Sequence, residues 1–214
     1  MKGKKLFYFV LFFSLIAILY GCNERNSRGY LEDRIGNQIS RVYPTKNLED
    51  LFEQFPSGFT IFQAHTEGEY RIKVELIGDP ITRMIEGTIK KVRRKDGEVT
   101  SQVEVKYQNE EFSFSDEKLA TELWRYKRFL FQEMKIDKDV MSRLKLKDKS
   151  YNPKNGSFEI YYAIQNSGLN QFFELDESEV LDISFHGSNS NVGYYYTVAV
   201  RNKTGLEFKE RVYE

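Results

Sequence analysis

The sequence predicts an α+β fold: a twisted antiparallel sheet with one long helix packed on a face, preceded by a signal peptide and a tether. Three observations lead there. Period-two alternation recurs in separate blocks, as where Tyr70, Ile72, Val74 and Leu76 alternate with Arg71, Lys73 and Glu75. One stretch, Ser115 to Met134, carries helical spacing instead. The order is strands, helix, strands, without the steady strand–helix rhythm that a parallel doubly wound sheet needs.

Taken in order, the chain divides into residues 1–21, 22–41 and 42–214. The first segment opens on Lys2, Lys4 and Lys5, runs apolar from Leu6 to Leu19 with only Ser14 intervening, and ends Tyr20-Gly21. A basic start, an apolar middle and a small residue before the cut make up the pattern of a secretory signal. Cys22 follows at once and is the chain's single cysteine, so it has no partner for a disulfide. Leu19, Gly21 and Cys22 fit a bacterial lipoprotein signal cleaved between Gly21 and Cys22; Tyr20 departs from the modest side chain usual there. An uncleaved membrane anchor is the competing reading. Leu6 to Leu19 as a helix covers about 21 Å, against a hydrocarbon core of ~30 Å. A diacylglyceryl group on Cys22 supplies two acyl chains, enough for stable anchoring where one is marginal. The expected location is therefore the extracellular face of the cell membrane, with membrane lipid as partner through acylated Cys22.

Asn23 to Ser40 is polar and reads as the tether, though Tyr30, Leu31 and Ile35 also suit a short helix. Order is expected from Val42. Pro44 disfavours helix at Tyr43. Asn47 can cap a short helix, Leu48 to Phe55, with Glu49 and Asp50 in its first turn. Strands follow at Phe59 to His65, Tyr70 to Leu76, Arg83 to Arg94 and Glu98 to Tyr107. Asp96-Gly97 between the last two is the strongest hairpin signal. Phe112 to Phe114 suits a short edge piece. Ser115 or Asp116 caps the long helix, whose stripe is Leu119, Leu123, Tyr126 and Leu130, widened by Ala120, Trp124 and Phe131. Lys138 to Leu146 suits a further short helix. Strands return at Phe158 to Ile164, Val180 to Phe185 and Val192 to Val200, with a helical turn at Leu169 to Leu175. Leu206, Phe208 and Val212 pair back after the Asn202–Gly205 turn.

Composition narrows the function. Charged residues make up 30% and aromatics 15%, and the net charge is zero. Without residues 1–21 the chain keeps 29 basic and 32 acidic side chains, a net of −3, which argues against nucleic acid as a partner. A Lys-rich chain with one cysteine leans toward a Gram-positive surface.

Chemistry-bearing constellations are sparse. His65 and His186 are the only histidines, and both read as exposed strand-end side chains. With Cys22 spent, too few ligands remain for a zinc site, so no metal and no cofactor is expected. No nucleophile elbow, Walker loop or dinucleotide glycine pattern occurs. Carboxylates cluster at Glu49 with Asp50, at Glu110 with Glu111, and at Glu174, Asp176, Glu177 and Glu179. A glycosidase needs two acids ~5–9 Å apart across a cleft, whereas these sit in helix starts and polar turns; no catalytic residue is assigned. In Tyr194-Tyr195-Tyr196, alternation puts Tyr195 on the face opposite its neighbours, a candidate binding surface.

Three motifs carry a resemblance. Tyr43-Pro44-Thr45-Lys46-Asn47-Leu48-Glu49-Asp50-Leu51 resembles the opening of the staphylococcal tandem-type lipoproteins. Tyr126-Lys127-Arg128-Phe129 and Ser150-Tyr151-Asn152-Pro153 are similar to that family in the same order. The resemblance implies a surface-anchored α+β lipoprotein, antigenic, without enzymatic activity, with host proteins as candidate partners and immune stimulation through the lipid. Only Cys22 carries over as a functional position. Competing readings are a solute-binding lipoprotein of a transporter, disfavoured by 193 residues without a two-lobed βαβ pattern, and a cell-wall enzyme using a carboxylate such as Glu49 or Glu177.

Overall fold

The computed structural model describes residues 24–188 and 194–214; the cleavage pair Gly21 and Cys22 lies outside the described residues. Ten strands form one sheet: β1 Phe59–Glu67, β2 Tyr70–Gly78, β3 Ile85–Arg93, β4 Val99–Gln108, β5 Glu111–Phe114, β6 Lys145–Tyr151, β7 Ser157–Ile164, β8 Leu181–Ser188, β9 Tyr195–Arg201 and β10 Glu207–Tyr213. Their order is β5-β4-β3-β2-β1-β10-β9-β8-β7-β6. Every neighbouring pair is antiparallel. Two five-stranded meanders thus meet in the middle, where the first strand pairs with the last in the register Phe62↔Arg211.

Alternation builds one apolar face. β7 buries Phe158, Ile160, Tyr162 and Ile164, and β9 buries Tyr196, Val198 and Val200. The opposite face carries Lys73, Glu75, Glu159, Asp182, Arg201 and Lys209, the one-wet-face pattern open to antiparallel sheets. At the Asp96-Gly97 turn Gly97 takes φ +78°, the conformation that favours glycine.

Among the described residues the bounded helices are α1 Arg28–Ile39, α2 Leu51–Gln54 after a 3₁₀ turn at Leu48–Asp50, α3 Glu117–Leu123, α4 Leu130–Glu133, α5 Lys138–Arg143 and α6 Ser167–Phe172. Asn47 caps the 3₁₀ turn as expected, its Oδ1 accepting from the Glu49 N–H at 2.9 Å.

Two expectations are corrected. Residues 28–39, read as tether, form α1 and belong to the core: Leu31, Ile35 and Ile39 are fully buried. Ser27 caps it through a 3.2 Å hydrogen bond from the Tyr30 N–H. The apolar stripe is only one residue wide, which is why polar composition hid it. Glu32 lies buried beside the stripe, satisfied by the Tyr162 hydroxyl at 2.8 Å and Arg28 Nε at 2.7 Å.

The one long helix is not present either. Helix stops at Leu123 and resumes at Leu130, with Lys127 left-handed at φ +48° in between. Trp124, Tyr126, Phe129, Leu130 and Phe131 are all buried. At 100° per residue they would spread over more than half the circumference of a continuous helix, and a helix lying on a sheet buries one stripe. Breaking the helix lets every ring turn inward. Trp124 packs edge-on to Phe112 at 5.0 Å, and Tyr126 stacks on Phe172 at 5.0 Å.

Candidate binding surface

Two polar assemblies stand out, one inside the core and one on the open face. Inside, Glu210 occupies an inward position of β10 and is 0% exposed. Its Oε1 accepts from the Tyr43 hydroxyl at 2.8 Å and the Phe131 N–H at 2.8 Å. Its Oε2 accepts from Gln63 Nε2 at 3.0 Å and the Leu130 N–H at 2.6 Å. The carboxylate therefore caps α4, where backbone N–H groups have no partner of their own. Gln63 extends the network, its Oε1 accepting from Trp124 Nε1 at 2.7 Å. Burial outweighs these donors and pushes the Glu210 carboxyl up to about 7. This assembly positions elements; with 0% exposure it meets no ligand.

On the open face, register lines up residues from five strands. His186 stands across from Glu159 on β7 and Thr197 on β9; Thr197 faces Arg211 on β10, which faces Phe62 on β1. Tyr195 pairs with Tyr213 in the adjacent row. Tyr194 and Tyr196 are buried while Tyr195 is 43% exposed, as the alternation predicts. The Arg211 guanidinium lies 4.8 Å from the Tyr195 ring centroid, 4.8 Å from Tyr213 and 5.1 Å from Phe62. Arg211 Nη1 also donates to the Tyr195 hydroxyl. An arginine already held among three rings loses little freedom when it meets a partner. Sequence reasoning found Tyr195 and missed Arg211; the outward Lys209-x-Arg211-x-Tyr213 alternation was the available signal.

Beside this patch, Ser184 Oγ lies 2.9 Å from His186 Nε2, and His186 Nδ1 lies 3.1 Å from Glu159 Oε1. The Tyr161 hydroxyl donates to Glu159 Oε2 at 2.7 Å. That bond holds the Glu159 carboxyl below its ordinary range and pushes the Tyr161 phenol up to about 12. The chain of contacts has the connectivity of a serine–histidine–carboxylate triad. It lies on a flat interior strand, where the backbone N–H groups around Ser184 bond to β7 and β9. Those N–H groups are therefore engaged in the sheet ladder, and an oxyanion hole is built from N–H groups left free to aim at the reacting oxygen.

The remaining sequence candidates fall into separate groups. Glu49 Oε1 accepts from the Asn109 N–H at 3.1 Å, and Glu110 accepts from Asn47 Nδ2 at 3.1 Å, beside a cleft of about 380 Å³ lined by Lys46, Tyr107 and Arg128. Glu177 is exposed, in a turn whose carbonyls at 176, 177 and 179 accept from Asn170 Nδ2. Burial raises the Tyr107 pKa and the charges of Glu49, Glu110 and Asp50 raise it further, so these acids gather around one hydroxyl while Glu177 lies in a separate turn. His65 is a correction: it is 3% exposed, 5.0 Å from the Tyr126 ring, and burial lowers its pKa. Among the described residues no group of three metal-capable side chains occurs, and no helix is long and apolar enough to cross a membrane.

No family model matches the chain, and no curated protein matches it. A solved structure of the lipoprotein LppX of Mycobacterium tuberculosis is similar at 7% identity and a TM-score of 0.37, over 83% of this chain and 92% of that one. A likeness this slight says nothing of what either chain does.

Proposed function

We propose that the chain is an exported lipoprotein, held on the outer face of the cell membrane by acyl chains on Cys22 and without enzymatic activity. It acts through that lipid and through the open sheet face around Tyr195, in host interaction or immune stimulation. The observation that carries the reading is the lone cysteine placed directly after Leu19-Tyr20-Gly21 at the end of a basic-then-apolar leader. The motifs resembling the tandem-type lipoproteins support it. So does the ring-clasped arginine, because aromatic side chains and arginine dominate the energetics of protein contacts.

Wild-type protein in a Gram-positive host is expected in the membrane fraction, with a diacylglyceryl adduct on the N-terminal peptide by mass spectrometry. Cys22→Ala is expected in the medium or with its leader attached. An intact leader on an unmodified thiol in the wild type overturns the reading. Cross-linking on intact cells tests the patch. The pair Tyr195→Ala and Arg211→Ala should lose cross-linked products while melting within a few degrees of wild type, since both side chains lie on the solvent face.

A further inference from the structure

We infer that the outer edge of β6, together with the entry to α1, rests on the anionic headgroups of the membrane that carries the protein. The inference rests on the acylation of Cys22 proposed above. Asn26 is four residues beyond Cys22, a span of at most ~14 Å. Its carbonyl accepts from Lys149 Nζ, on the edge strand β6. Tyr30, on the first turn of α1, meets Tyr151 at the end of β6 edge-on, ring centroids 6.4 Å apart. The chain is thus fastened to β6 almost as soon as it leaves the lipid, and α1 is buried rather than extended. That edge cannot swing far from the bilayer.

The edge has the composition such a position rewards. From 145 to 154 the β6–β7 hairpin carries Lys145, Lys147, Lys149 and Lys154 against one acid, Asp148, whereas the rest of the chain after residue 21 has 25 basic and 31 acidic side chains. Lys147 is engaged with Asp182 on the open face at 2.7 Å. Lys145, Lys154 and Arg25 are exposed. Half-buried Tyr30 and Tyr151 add amphipathic rings of the kind that sit at headgroup level. Lysines on an edge strand also discourage strand pairing, but that role needs no nearby lipid. Here Asn26, and with it Lys149, lies within about two Debye lengths of the acylated residue at physiological salt.

Lysine footprinting of the acylated full-length protein in vesicles tests this. In bilayers containing phosphatidylglycerol, modification of Lys145 and Lys154 should slow by about fivefold or more relative to the Cys22→Ser protein in solution, the scale expected of basic side chains near an anionic surface. Exposed Lys118 and Lys203, away from this edge, should be unchanged. In phosphatidylcholine bilayers the protection should largely vanish. Equal rates at all four lysines, or equal protection in both lipids, overturns the inference. Mass spectrometry of the N-terminal peptide in the same sample reports acylation separately, so failure of this contact is distinguishable from failure of the anchor.

Discussion

Burial and four hydrogen bonds pull the Glu210 carboxyl in opposite directions, and burial prevails, leaving it at about 7. The ordinary value is 4.5. Between those values the unfolded chain has released its proton and the folded chain still holds it. Stability therefore falls as pH rises through that window, by up to about 3 kcal/mol from this one group. Glu210→Gln has no such proton. The unfolding free energy of wild type minus variant, from urea titrations at pH 5 and pH 8, should shrink by an amount of that order; a constant difference would refute the assignment. His65 works the other way. Its folded pKa lies below 6.5, so its contribution is present above 6.5 and is lost as pH falls. Little of this was legible. The sequence shows apolar Phe208 and Val212 in step, and the acid between them reads as a gap until Tyr43, Gln63 and α4 are seen to converge there. Tyr195 was legible because it depends only on strand parity.

At the scale of elements, Gly36 and Gly29 show what α1 is built for. A Cβ on Gly36 would meet the backbone N and Cα of Lys138 at 2.5 and 2.7 Å, so α1 and α5 touch there through their backbones. Gly36→Ala should cost about 1–3 kcal/mol by overpacking. Gly29 has open space, and Gly29→Ala should be neutral or add up to about 1 kcal/mol through helix propensity. Denaturant midpoints of the two variants should move in opposite directions or leave only Gly36→Ala displaced; equal loss in both would mean the crossing is not tight. The strands with clean alternation were legible to within a few residues. β6 was not. Lys145-Leu146-Lys147-Asp148-Lys149 changes register between Leu146 and Asp148, and that irregularity resets the period by which a strand is read. The long helix failed for a different reason: spacing marks a stripe, but it does not say when too many rings compete for one side.

For the whole molecule, the pairing of β1 with β10 decides how the parts depend on one another. Two meanders of local hairpins flank a junction between residues as far apart as Thr60 and Tyr213. Glu210, on the last strand, also holds α4 and Tyr43. Removing residues 207–214 should leave no cooperative urea transition by circular dichroism, because both halves lose their shared strand and the core loses its cap; a sharp transition in the truncated protein would show that the halves fold alone. The strands–helix–strands order was readable from the sequence. That the first strand meets the tenth at the centre of one sheet was not, because pairing partners leave no mark in local periodicity.

That central seam also sets a timetable. Whichever strands leave the ribosome first, β1 waits for β10 before the centre of the sheet can close. Local hairpins gain little until the distant strand arrives to offset the entropy of bringing the ends together. A sheet whose central seam joins its first strand to its tenth therefore closes late in synthesis, whatever its outer hairpins have already done.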